Sequence, residues 1–378
     1  MQGFCRYAKP ATLHFMIKIF NSIFDIDSGI QNSCLLPQAL GSWNYYVALE
    51  KSKSLSVEQG WTAQYATYFA GNKCVGFIPM FSKIHSGDDF VYDQPIAIAF
   101  ESEKKAYYPK LQIGIPFMPM QGSKFYIEKS FESHINDFLA EVMEWAKKQS
   151  VSSLHIALPS SEDFDLIQKL GFIPSTQALC YWTNHSFRTF SDFLDTLKSK
   201  YRSQINQERK AIQENGYQYF AITGKCITAK HIDTFYEIFQ TTHDRKGWVR
   251  SKLTKEFFHE FSKSNPEHVV YMFLQKNGET IATSCHFLER NMLCGRFWGS
   301  TSDDHFLHFE IMYYLPMQYC IQHKIPMMEI GFEKPHKIIR GFVPQLVKSF
   351  HLFFDSSCTE KAQSLIQPKI LPDKNIFR

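Results

Sequence analysis

The sequence has no run of about 18 uncharged apolar residues, so no membrane span is expected. Arg6, Lys9 and Lys18 interrupt any apolar core near the start, and no clear cleavage site follows, so no signal peptide is read there. Nine cysteines include no Cys-x-x-Cys pair. Scattered thiols without metal spacing fit a reducing cytoplasm. Net charge is small: 41 Lys+Arg against 37 Asp+Glu give +4, too little for nucleic-acid binding as the main role. No internal repeat aligns residue by residue. His305, His308 and Glu310 invite a metal reading, but residues two apart diverge on a helix and no proper fourth ligand joins them, so no metal is expected.

Aromatic and apolar residues are plentiful. Phe occurs 35 times and apolar residues make up 44% of the chain, enough for sizeable cores. A length of 378 residues sets a prior of two domains. The reading divides the chain into an N-terminal extension (1–15), a first domain (16–185), a second domain (186–355) and a tail (356–378). The extension is aperiodic and reads as dispensable for the fold. In each domain strands come first, then a helix, a strand, a helix and a Gly-Phe strand. This predicts a mixed α/β fold of two domains sharing a cleft.

Particular elements follow from pattern. Met16–Phe20 reads as a strand, Ser42–Lys51 as a helix, and the segments around Gly71-Asn72 as a hairpin. Ile135–Gln149 carries one apolar stripe and reads as a helix. A helix from Lys198 ends near Asn215-Gly216, with Lys198, Arg202, Asn206 and Arg209 along one face. Such a stripe either holds phosphates or is a solvated face. Val269–Leu274, Glu279–Leu288 and Met292–Ser300 read as a meander turning at Asn277-Gly278. On its third strand Arg296 and Trp298 alternate with Cys294, Phe297 and Gly299. Asp303 or Asp304 is then expected to cap a helix over Phe306–His323, kinked at Pro316.

The most telling stretch runs from Glu329 to Pro344. A strand ends at Gly331 and Pro335. His336, Lys337 and Arg340 follow at helical spacing, Gly341 permits a left-handed exit, and Pro344 stops the helix. Two fixed cations and an imidazole at a strand end suit a phosphate or a developing oxyanion, unless the turn is simply solvated.

The run His336-Lys337-x-x-Arg340-Gly341-Phe342-x-Pro344, behind a glycine, resembles the ending of the FemAB-like N-acyltransferases, relatives of the Gcn5-type (GNAT) acyltransferases. Phe306-Leu307-His308-Phe309-Glu310 matches a second family motif. Lys83–Asp93 and Tyr107–Gly122 resemble two more, with Asp88 and Asp89 where the family has Gly and Glu. The family's Gln-Phe-His-Trp run is here Leu179-Cys180-Tyr181-Trp182. The helix from Lys198 is similar to one in Fem-type ligases. The resemblance spans roughly Met16 to Phe354.

It implies two tandem GNAT-like domains, each a mostly antiparallel sheet flanked by helices. It also implies transfer of an acyl or aminoacyl group from an activated donor onto an amine, in cell-wall precursor or related metabolism. The other reading is a non-catalytic module holding a phosphorylated ligand. His308, Glu310 and His85 are the expected bases, and Lys337 and Arg340, with His336, the charge stabilisers. Asp89, Asp93, Lys110, Arg202, Arg209, Arg296 and Trp298 are expected to bind substrate, with Lys110 aimed at the rim of a pocket. The expected acceptor is a small-molecule or peptide amine. The expected donor is an aminoacyl-tRNA or an acyl-CoA thioester, with no firm cofactor. The chain lacks the Arg/Gln-x-x-Gly-x-Gly/Ala turn that cradles acetyl-CoA's pyrophosphate, and it lacks a long helical-hairpin insertion.

Overall fold

A computed structural model describes residues 14–30, 39–87, 93–366 and 371. The expectation for the N-terminal extension falls almost wholly outside them. The first half runs β1 (Phe15–Phe20), α1 (Trp43–Lys51), β2 (Trp61–Ala63), β3 (Tyr65–Ala70), β4 (Lys73–Ile78), β5 (Met80–Lys83), α2 (Gln94–Ser102), β6 (Lys110–Ile113), β7 (Tyr126–Ile127), α3 (Ile135–Lys147), β8 (Ser153–Ile156), α4 (Phe164–Lys169) and β9 (Ile173–Thr183). The second half runs α5 (Phe190–Asp195), α6 (Ser199–Glu214), β10 (Gln218–Thr223), α7 (Ala229–Lys246), α8 (Lys255–Ser264), β11 (Val269–Lys276), β12 (Glu279–Glu289), β13 (Met292–Ser300), a helical segment α9 over 307–322, β14 (Met327–Phe332), α10 (Pro335–Ile338), β15 (Val343–Phe353) and α11 (Ser356–Leu365).

The fold is mixed α/β, with two GNAT-like halves built on one continuous sheet of strand order β10-β11-β12-β13-β14-β9-β15-β8-β6-β5-β2. β1, β3, β4 and β7 form a second, antiparallel sheet. β15 comes from the second half of the sequence but pairs between β9 and β8 of the first. The two halves are thus stitched by a strand rather than strung on a linker. The chain after 355 begins as α11, which packs on α2 through Cys358, Ala362, Ile96 and Phe100.

Local chemistry sets the boundaries. Ser42 caps α1 by accepting from the Tyr45 amide at 3.2 Å. Thr189 caps α5, in a reciprocal capping box with Asp192. Thr254 precedes α8, but its hydroxyl donates to the Ser52 carbonyl across the two halves. The apolar stripe of α3 buries Phe138, Leu139, Val142, Met143 and Ala146.

The start of α9 departs from expectation. Neither Asp303 nor Asp304 caps it: Asp303 pairs with Arg245, and Asp304 accepts from the Tyr217 hydroxyl at 2.5 Å. Phe306 takes the N-cap position with φ 73. Pro316 lacks the N–H that would bond the Met312 carbonyl, and the preceding turn, Glu310–Tyr314, widens to a π-helix. This turn directs Tyr313 and Tyr314 to different partners. Gly299 lets β13 run against α7, where a Cβ would sit 2.4 Å from the Ile238 carbonyl oxygen.

Candidate active site

β13 and β14 are parallel neighbours over only three residue pairs, Met292–Cys294 against Met327–Glu329. Beyond them the strands part, and both are irregular there. On β13, Phe297 faces Cys285 and Gly295 faces His286, leaving Arg296 as the extra residue of a bulge. On β14 the register with β9 shifts between Glu329 and Phe332, and Gly331 takes φ 78. A wedge therefore opens between two adjacent strands. The bulge also breaks the expected alternation, so Arg296, Phe297 and Trp298 line one cleft in succession.

Charged groups fill the base of the wedge. Arg296 and Glu329 form a buried ion pair, and Arg296 Nη1 donates to the Gly295 carbonyl at 3.0 Å. Arg296 Nε is buried without a hydrogen-bond partner. Lys337, on α10, donates from Nζ to the carbonyl oxygens of Ile330 at 2.5 Å and Phe332 at 2.8 Å. It thereby satisfies acceptors of β14 beyond the point where β13 has parted from it. Burial, opposed by Glu329 and reinforced by Arg296 and Lys334, lowers the Lys337 pKa to about 8.

The start of α9 forms the next wall. The His308 ring lies 4.5 Å from Trp298, 5.2 Å from Tyr313 and 6.2 Å from His336, centroid to centroid. Burial first, then the charges of His336, Lys337 and Arg340, lower its pKa to about 3, so it is neutral at ordinary pH. His336 Nε2 lies 3.0 Å from the Tyr313 hydroxyl, and burial with Lys337 and Arg340 lowers its pKa too. His308, His336 and Lys337 thus come together as one electrostatically coupled group.

Arg340 and Glu310 stand differently from expectation. Arg340 is buried, bonded through two nitrogens to Glu208, to the Tyr314 hydroxyl at 2.8 Å and to the His336 carbonyl at 2.7 Å. Its guanidinium also lies 3.4 Å over the Phe309 ring. Glu310 receives Arg209 Nη2 at 2.9 Å and Nε at 3.2 Å, and burial raises its pKa against that cation. Both are internal braces under the wedge rather than groups open to substrate. Sequence reasoning passed over Glu208, though a signal existed: it lies three residues after Ile205 and four before Ile212, on the buried stripe of α6.

The wedge opens on a cleft of ≈ 530 Å³ between the two halves. His85 and Gly87 line it from the first half; Trp248, Lys252, Arg296 and Trp298 are among its walls from the second. Lys252 closes one end, with Nζ 2.5 Å from His85 Nε2 and 2.8 Å from the Gln59 carbonyl. Lys252 was not read from the sequence, although it follows a run rich in basic residues, Arg245-Lys246-Gly247-Trp248-Val249-Arg250. Among the described residues, no group of three His, Cys, Asp or Glu could hold a metal ion.

The other expected binding residues lie elsewhere. Asp89 falls outside the described residues. Lys110 does not reach a rim: it is fully buried in an ion pair with Asp93, itself 1% exposed. Arg209 turns inward to Glu310, while Arg202 pairs with Asp195 at 3.1 Å near the surface. The basic stripe of α6 therefore splits between core and solvent, and its outer part, with Ser199, Asn206 and Lys210, borders a shallow groove of ≈ 300 Å³.

A family model, FemAB-like, described as peptidoglycan biosynthesis/recognition, matches residues 22–369. No curated protein matches the chain. Among solved structures, FemX is similar at 12% identity over 90% of this chain and 97% of that one, with a TM-score of 0.52. A conserved protein of unknown function from Bacteroides thetaiotaomicron is similar at 12% identity over 89% and 99%, TM-score 0.52. L-PGS from Bacillus licheniformis is similar at 9% identity over 86% and 97%, TM-score 0.50. At these identities the structures speak to the fold.

Proposed function

The chain belongs to the FemAB-like family, an acyl- or aminoacyltransferase group, and on that premise we propose that it forms an amide in the cleft between its halves. The donor is an activated acyl or aminoacyl group, carried on tRNA or as a thioester, and the acceptor is an amine of a peptidoglycan precursor or a similar peptide. One observation carries this reading. The wedge between β13 and β14 holds a buried ammonium and an unpartnered guanidinium N–H, with a neutral imidazole on its next wall, and Arg296 and Trp298 join that group to the cleft.

Direct attack of an amine on an activated carbonyl needs alignment, a place for the amine proton and stabilisation of the oxyanion. Lys337 supplies positive charge in a partly dry site, where it acts more strongly than in water, and Arg296, its charge matched by Glu329, offers a free Nε–H donor. Neutral His308 is an acceptor for an N–H of the attacking amine. With a pKa of about 3 it orients that amine better than it removes its proton, which leaves with the departing oxygen or sulfur of the donor as the carbon–oxygen or carbon–sulfur bond breaks. Trp248 and Trp298 offer apolar faces for the body of a substrate.

The test is a transfer assay. Purified protein is incubated with peptidoglycan-precursor amines and, separately, a charged tRNA pool or acyl-CoA mixture, and products are read by mass. An acceptor gaining the mass of one acyl or aminoacyl group supports the reading. Complete absence of transfer from both donor classes counts against it.

A further inference from the structure

A chain of hydrogen bonds crosses four strands, β6, β8, β15 and β9. It begins at Lys110 on β6, whose ammonium is paired with Asp93. Tyr107 Oη donates to Asp93 Oδ2 at 2.7 Å and lies 3.1 Å from His155 Nε2 on β8. Ser153 Oγ is 2.8 Å from the same nitrogen. His155 Nδ1 and His351 Nδ1, on neighbouring β15, are 2.7 Å apart and share one hydrogen. His351 Nε2 lies 2.7 Å from Ser175 Oγ on β9. Both histidines are 0% exposed.

The donors and acceptors order themselves. Tyr107 commits its hydrogen to Asp93, so His155 Nε2 can keep its own and point it at the Tyr107 and Ser153 oxygens. His155 Nδ1 is then a lone pair that accepts from His351 Nδ1–H. His351 Nε2 is left as a lone pair 2.7 Å from the Ser175 hydroxyl, whose other acceptor, the Ser349 carbonyl, is farther at 3.5 Å. Burial, against the charge of Asp93 and with that of Lys110, lowers the His351 pKa to about 4 and keeps the ring neutral. This is the geometry of a nucleophile, a base and an orienting group.

Ser175 also borders a cavity of ≈ 220 Å³. Its walls are Pro95 and Ile96 at the start of α2, Gln177 beside Ser175 on β9, and Leu365 and Ile366 at the end of α11. The volume is below the roughly 300–1,000 Å³ typical of drug-sized ligands, and the walls are mostly aliphatic.

We propose that Ser175 is an activated nucleophile and that this cavity takes a short aliphatic acyl ester or thioester. Ser175 Oγ bonds to the carbonyl carbon while its proton passes to His351 Nε2, a weak base that takes it only as the bond forms and the hydroxyl turns acidic. The bond from that carbon to the leaving oxygen or sulfur breaks, and the leaving group departs with the proton from His351. Water then attacks the acyl-serine by the same route, releasing the carboxylic acid and restoring the hydroxyl. The cavity at Ser175 shares no lining residue with the amide-forming cleft.

The test uses the full chain and a small dialkyl fluorophosphonate, with peptide mapping by mass spectrometry. One adduct is expected, on Ser175, with fluoride displaced. Its formation should slow at least tenfold in His351→Gln, and a short-chain p-nitrophenyl ester should compete with it in the wild type. An unlabelled Ser175 in folded wild-type protein at saturating reagent overturns the proposal, whatever the variants do. So does labelling that proceeds equally fast in a His351→Gln protein with an unchanged circular-dichroism spectrum.

Discussion

Arg340 and Glu208 meet in a buried two-pronged ion pair, Nη2 to Oε1 at 2.6 Å and Nε to Oε2 at 3.1 Å, each side chain 3% exposed. The Tyr314 hydroxyl joins it by donating to Glu208. Removing one member leaves the other charge buried and uncompensated, which costs about 3–5 kcal/mol. Arg340→Ala is therefore expected to lose that much stability in urea unfolding. Arg340→Lys should recover only part of it, because an ammonium cannot reproduce the planar fork.

Arg202 and Arg209 should behave as opposites despite sharing a helix. Arg202→Ala removes a surface pair worth at most about 1 kcal/mol, so the melting temperature should hardly move. Arg209→Ala strands Glu310 in the interior and should destabilise by several kcal/mol, on the order of 3. Equal melting temperatures for the two variants would contradict the division of the α6 stripe between solvent and core.

Acid should weaken the fold through its buried neutral histidines. His286 and His308 have pKa values lowered to about 3 and His351 to about 4, each mainly by burial. The unfolded chain protonates these rings near pH 6.5, whereas the folded chain does not. Between those values the unfolded state binds more protons, so stability declines as pH falls from about 6.5 towards 4. The urea midpoint should drop over this window. His286→Asn, which retains a polar partner for Ser284, should flatten the drop.

Much of the architecture was legible because it rests on period and punctuation. The meander from Val269 to Ser300 turns at Asn277-Gly278, and the strand Met327–Phe332 falls where the breakers Gly331 and Pro335 predict. The motifs that carry His308, His336 and Lys337 could also be read from the sequence. What stayed hidden depends on pairing between distant strands. Nothing local says that β15 inserts beside β9, that Arg296 is a bulge residue, or that Arg340 finds its carboxylate 132 residues away. The π-turn at Glu310 is likewise visible only once Pro316 is seen seated in a continuous helix.

The cleft end closed by Lys252 and His85 should govern substrate affinity rather than chemistry. Lys252→Ala opens that end and removes a cation from the wall. Its KM should rise several-fold with kcat little changed, the mark of lost uniform binding. A fall in kcat at unchanged KM would instead place Lys252 among the reacting groups.

The central claim is that Lys337 supplies charge where the oxyanion forms. Lys337→Met removes the ammonium and keeps the stem. The Ile330 and Phe332 carbonyls lose a donor, so some stability is lost, and circular dichroism must first show a folded protein. Loss of one such stabilising group lowers turnover by about 10²–10³. With a pKa lowered to about 8, the wild-type rate should fall as pH rises through that value, because the ammonium is the active form. The folded state's stability gains from this group over the same rise, up to the unfolded pKa near 10.4, so the loss of rate is not unfolding. The decisive measurement is the pH–rate profile of amide formation in wild type and Lys337→Met. The account predicts an alkaline limb near pH 8 in the wild type, and in the variant a rate lower by about 10² or more with that limb gone. A folded Lys337→Met protein with wild-type turnover and the same limb contradicts it.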